Sequence, residues 1–208
     1  MAKQIPVFRG TETERLEQAI KWVKRKVRLR RWTNQEIGKF FSKRTPREIL
    51  DSGHAFYMNS CLDRTLVLME TLKANDFKPK MVSELLSVKG INVPHFALEM
   101  KIEGKTVCAQ FIENGLAAIS DGYKPFKAGV PGVRSIEIFR DSCENFSIDK
   151  NYFQALSKTR TGKNFSRVNM DAIIEKMKMD NTLRKHSNFK AKAASARFRK
   201  IRKRHRLI

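Results

Sequence analysis

The chain has 208 residues, with 43 Lys and Arg against 21 Asp and Glu for a net charge of +22. Its 41% of apolar residues suffices for one core of ordinary size, which excludes wholesale disorder and predicts one domain with appendages. An excess of cations on this scale attracts phosphate polyanions or anionic surfaces before any specific contact forms.

The opening Met1-Ala2-Lys3-Gln4-Ile5-Pro6 lacks the apolar stretch of a secretory signal, and no apolar run is long enough for a bilayer. A soluble, cytoplasmic protein with no membrane span is therefore expected. Cys61, Cys108 and Cys143 include no CxxC pair and have no His at zinc-ligand spacing, so no disulfide framework and no metal site is expected. There is no Gly-rich phosphate loop either, and no cofactor is expected.

In chain order, Thr11-Glu12-Thr13-Glu14 opens a helix with Leu16, Ile20, Val23 and Val27 on one face. Its later turns, through Trp32, interleave Lys24, Arg25, Arg28 and Arg31 with apolar residues, a pattern suited to facing phosphates. Thr33-Asn34-Gln35-Glu36 is a capping box for a short second helix. Thr45-Pro46 begins a third, which Asp51-Ser52-Gly53 ends before a loop from His54 to Asn59. Ser60 then caps a largely buried helix running to about Lys73, with Cys61 at its first position and Asp63 in a capping role. Strands are expected over 80–88 and 96–102, with a turn at Glu103-Gly104-Lys105, then over 106–112, 116–119 and 134–139. A last helix opens at Asn169-Met170-Asp171 with Ile173, Ile174 and Met177 on one side.

A nucleophilic thiol reacts as the thiolate, and a helix N-terminus supports that anion, as does a nearby imidazolium. Cys61 has the first feature. His95, expected at the start of the Phe96-Ala97-Leu98-Glu99-Met100 strand, is placed to supply the second by leaning across the helix N-terminus. The alternative for each is a structural core residue.

Four segments then carry a resemblance. They are Pro46-Arg47-Glu48-Ile49-Leu50, Asn59-Ser60-Cys61-Leu62-Asp63-Arg64, Leu72 to Lys80, and His95 to Lys105. In that order they resemble the transglutaminase-like core of bacterial and archaeal proteins, within the papain-like cysteine hydrolases and acyltransferases; the match covers roughly residues 45 to 120. The resemblance implies a buried helix opened by the Cys and packed on an antiparallel sheet. It also implies a His-bearing strand and, on the next strand, a residue orienting the His. Gln110 stands where that residue is usually Asp, and Asn59 is the candidate for the oxyanion hole beside the Cys61 amide.

The expected architecture is α+β: an N-terminal basic helical segment (1–44), a transglutaminase-like core (45–145), a helical extension (146–183) and a basic tail (184–208), disordered when free. The expected function is a cysteine-dependent hydrolase or acyltransferase acting on protein or peptide amides, with an acyl-enzyme on Cys61 and His95 as base. The alternative is a non-catalytic protein of that fold that binds RNA or DNA. Its contacts would be Lys24, Arg25, Arg28 and Arg31 together with Arg197, Arg199, Lys200, Arg202, Lys203, Arg204 and Arg206 of the tail, where Phe189 and Phe198 interrupt the charge.

Overall fold

The computed structural model describes residues 4–41, 43–57, 61–88, 91–111, 116–123, 133–140, 170–186 and 206–207. The architecture is mixed α+β, with five helices among the described residues and one antiparallel sheet. Helix α1 (Glu12–Lys26), strand β1 (Arg28–Arg30), α2 (Asn34–Phe40), α3 (Pro46–Ser52) and β2 (His54–Phe56) precede the buried helix α4 (Cys61–Lys73). Strands β3 (Lys80–Val88), β4 (Ile91–Ile102), β5 (Lys105–Phe111), β6 (Ala117–Asp121) and β7 (Val133–Arg140) follow, then α5 (Met170–His186) and the short β8 (Arg206–Leu207). The sheet order is β7-β3-β4-β5-β6-β8.

Local chemistry starts the first three helices. Thr11, Thr33 and Thr45 each accept a hydrogen bond from the amide three residues on, and the Glu14, Glu36 and Glu48 carboxylates each accept one from the threonine amides. Gly53 ends α3 in the left-handed conformation at φ 73°, where a side chain would be strained.

Helix α1 stops at Lys26, earlier than its periodicity predicts, because partners distant in sequence capture the next residues. Arg64 donates to the Val27 carbonyl from Nε at 3.0 Å and from its terminal nitrogen at 2.8 Å. The Arg28 amide bonds the Gly53 carbonyl at 2.9 Å, and Arg28–Arg30 pair in parallel with His54–Phe56, the segment expected to be a loop.

Helix α4 begins at Cys61 and ends at Lys73, as expected. It is sandwiched between α1 and α3 on one side and strands β4 and β5 on the other. Leu66, Val67, Leu68, Met69 and Leu72 share one apolar cluster with Leu16, Ile20 and Val23 of α1 and with Phe96, Leu98 and Phe111 of the sheet. Burial of each such side chain is worth about 1.5–3 kcal/mol, so α4 is the anchor of the fold.

The β4–β5 connection is a two-residue hairpin in which Glu103 (φ 50°) and Gly104 (φ 78°) are both left-handed, matching the sheet twist. Strand β4 starts earlier than its apolar run suggests, at Ile91, and includes Pro94. Proline is tolerated there because, among the described residues, pairing with β5 begins only at Ala97.

A second cluster joins Trp32, Ile37, Phe41 and Phe56 to Ile173 and Ile174 of α5. Asn181 locks this contact: fully buried, it donates to the Trp32 carbonyl at 2.9 Å and to Asn34 Oδ1 at 3.0 Å. At the far edge Arg206–Leu207, from the segment expected to be a disordered tail, pair with Ala118 and Ile119 of β6.

Candidate active site

Opposed residues of an antiparallel ladder project to the same face of the sheet, and alternate residues to opposite faces. Phe96, Leu98 and Met100 of β4 belong to the cluster that holds α4. His95, Ala97 and Glu99 therefore stand on the other face. There His95 opposes Glu84 of β3, Ala97 opposes Gln110 of β5, and Glu99 opposes Cys108.

The sheet brings His95 and Gln110 together: His95 Nε2 lies 3.1 Å from Gln110 Oε1, with His95 5% and Gln110 1% exposed. An amide oxygen only accepts, so Nε2 carries the hydrogen, and the neutral form of the ring has its lone pair on Nδ1. The ring is thereby set as a base through Nδ1. His95 does not open its strand as expected but lies within it, because the β3 pairing reaches back to Ile91.

Cys61 is the first residue of α4, 9% exposed and at the margin of burial, and it belongs to the main apolar cluster. The phenol of Tyr123 is pushed far above the ordinary tyrosine range, first by burial, then by the charge of Glu84 and the hydrogen bond to it, and further by Cys108 and Cys61. Tyr123 thus stays a donor, with its hydroxyl on Glu84 Oε2 and its amide on Glu99 Oε1 at 2.6 Å. Cys108 is fully buried in the small apolar cluster with Val82, Ala97 and Tyr123.

Glu84 and Tyr123 escaped the sequence reading. The signal for Glu84 was present, since a carboxylate inside Met81-Val82-Ser83-Glu84-Leu85-Leu86 is a charge in an otherwise apolar central strand. Tyr123 lies between the strands expected over 116–119 and 134–139, and its role depends on the register that brings it over Glu84.

Asp63 takes a different part from capping. It pairs with Arg44, both buried, and Arg44 also donates to Ser52 at 2.9 Å and lies over the Trp32 ring at 4.6 Å. Burial pushes the Asp63 carboxyl up to about 6 although Arg44 draws it down through charge and hydrogen bond. Asn59 and Cys143 lie outside the described residues, as do Arg197, Arg199, Lys200, Arg202, Lys203 and Arg204. Among the described residues no group of three His, Cys, Asp or Glu is arranged around a metal, and no helix is long and apolar enough to cross a membrane.

The basic N-terminal residues differ in their employment. Arg25 and Arg28 are exposed. Lys24 is half-buried, with its ammonium lowered by burial and then by the Arg64 charge. Arg31 is bound to Asn181, through Nε to Oδ1 at 3.0 Å and through a terminal nitrogen to the backbone carbonyl. No protein-family model matches the chain, and no curated protein matches its sequence.

Proposed function

We propose that the chain is a cysteine-dependent hydrolase or acyltransferase of transglutaminase-like type, acting on amide bonds through Cys61. The observation that carries this reading is the buried 3.1 Å contact from His95 Nε2 to Gln110 Oε1. It presets the ring tautomer that accepts a thiol proton. Cys61 opens a helix, whose N-terminal amides favour a thiolate.

In the reaction, Nδ1 of His95 takes the proton as Cys61 Sγ attacks the substrate carbonyl. The imidazolium then returns it to the leaving amine, and water or a second amine releases the acyl group. Gln110 holds the ring in place throughout.

The test is the alkylation rate of Cys61 by iodoacetamide near pH 6, where an unperturbed thiol is only about 0.3% thiolate. Cys61 is expected to react faster than free cysteine, and His95→Ala to abolish the excess. A rate no faster than that of free cysteine would sink the reading.

A second reading is favoured by the exposure of Arg25 and Arg28 in a chain of net charge +22. In it the fold binds RNA or DNA and the thiol does no chemistry; the same labelling experiment separates the two.

A further inference from the structure

Glu84 is fully buried, with 0% exposure, in the middle of the sheet. One carboxyl oxygen, Oε2, accepts the Tyr123 hydroxyl, while Oε1 is buried with no hydrogen-bonding partner among the described residues. A buried carboxylate costs several kcal/mol unless its surroundings compensate it, and an orphaned buried acceptor calls for a reason. The register supplies one. Glu84 and His95 are directly opposed in the β3–β4 ladder, an arrangement that sets Cβ atoms about 4.5–5.5 Å apart on the same face.

We infer that Glu84 is a positioning residue for His95, its Tyr123-held carboxylate supplying from β3 the negative charge that the neutral Gln110 cannot provide to the imidazolium. The inference rests on the reading of Cys61 and His95 given above. When the S–H bond of Cys61 breaks and the proton forms a bond with His95 Nδ1, a cation appears beside Glu84 and a thiolate at the head of α4. The new cation forms beside the Glu84 carboxylate, so the Glu84 charge favours the reactive ion pair over the neutral one.

Tyr123 keeps the carboxylate aimed, and Glu99 holds the Tyr123 backbone amide at 2.6 Å. The polar and titratable residues at register positions on this face include Lys80 and Glu84 from β3, Glu99 from β4, Gln110 and Cys108 from β5 and, opposed to Val82, Arg140 from β7. Tyr123 follows β6, with its hydroxyl on Glu84 and its amide on Glu99. Of the carboxylates, Glu84 is the one directly opposed to His95.

The experiment is an NMR titration of the His95 ring in the full chain, assigned with His95→Ala, alongside the pH dependence of Cys61 alkylation. Glu84→Gln is expected to lower the His95 pKa by about one unit, the scale of losing an opposite charge within a few ångströms. It should also move the onset of Cys61 alkylation to higher pH. Glu84→Leu, which removes the charge together with the buried polar atoms, moves both in the same direction and serves if Glu84→Gln does not fold.

If wild-type Cys61 reacts fast and Glu84→Gln leaves the His95 titration unchanged, the role of Glu84 is overturned while the enzyme reading stands. If wild-type Cys61 reacts no faster than free cysteine, the enzyme reading falls and takes this inference with it.

Discussion

Gln110 accepts from His95 through a neutral amide oxygen, so an imidazolium forming there gains a hydrogen bond from β5 but no charge. Gln110→Glu adds that charge. It is expected to extend Cys61 alkylation to lower pH by about one unit, as read from the pH–rate profile. Gln110→Ala removes one hydrogen bond worth about 1.4 kcal/mol, and the expected loss is roughly tenfold in alkylation rate at pH 7.

Asp63 yields a stability prediction. Its folded pKa of about 6 stands above the ordinary 3.8, raised by burial against the opposing pull of Arg44. The folded state therefore binds the extra proton, and this stability is fully present below the unfolded value and lost as pH rises through the folded one. Urea unfolding from pH 4 to pH 7 should show wild type losing stability across that window relative to Asp63→Asn, which cannot titrate. Arg44→Met strips the buried carboxylate of its cation and should cost about 3–5 kcal/mol near pH 7. The juxtaposition of His95 and Gln110 was legible through the resemblance, which set the two on neighbouring strands. The Arg44–Asp63 pair was not, because it joins residues 19 apart through a bend that no local pattern encodes.

Elements with local instructions are the ones the sequence announced. Helices α1 to α3 carry reciprocal threonine and glutamate caps, and α4 has apolar residues on nearly every side, so starts and types follow from short spans. The parallel β1–β2 pair was hidden because three residues of Arg-Leu-Arg hold no distinctive period, and what extracts them from α1 is Arg64, 37 residues beyond Val27. The start of β4 was hidden by Pro94, whose compatibility with a strand depends on which neighbour flanks it. The docking of α5 is of the same long-range kind. Its Asn181 satisfies the Trp32 carbonyl and Arg31 Nε at once. Asn181→Leu leaves both unpaired and is expected to destabilise the protein by about 2–3 kcal/mol. In hydrogen exchange the α5 amides should lose protection before those of α4; equal loss in both helices would refute independent docking of α5.

Over the whole molecule, charge is distributed unequally between structural and free uses. The 11 cations from Arg184 to Arg206 make up half of the net +22, with no acid after Asp180. Of the four N-terminal cations proposed to face phosphates, Arg31 is committed to Asn181 and Lys24 is half-buried, which leaves Arg25 and Arg28 as the exposed candidates. Binding to single-stranded RNA should therefore show a steep salt dependence, the slope of log K against log salt falling by about 0.7 for each phosphate contact removed. Neutralising the tail by Lys and Arg to Gln changes at positions 197 to 204 keeps the β8 pairing with β6 that truncation would delete, and should cut the slope by several units. Arg25→Gln with Arg28→Gln should cut it by a further one to two, roughly. Arg31→Gln, by contrast, should lower the urea midpoint and leave the slope intact, because its guanidinium holds α5 rather than a phosphate. A tail-neutralised chain that binds with the wild-type slope would show that residues 197 to 204 make no phosphate contact, and the nucleic-acid reading would then rest on the N-terminal pair alone.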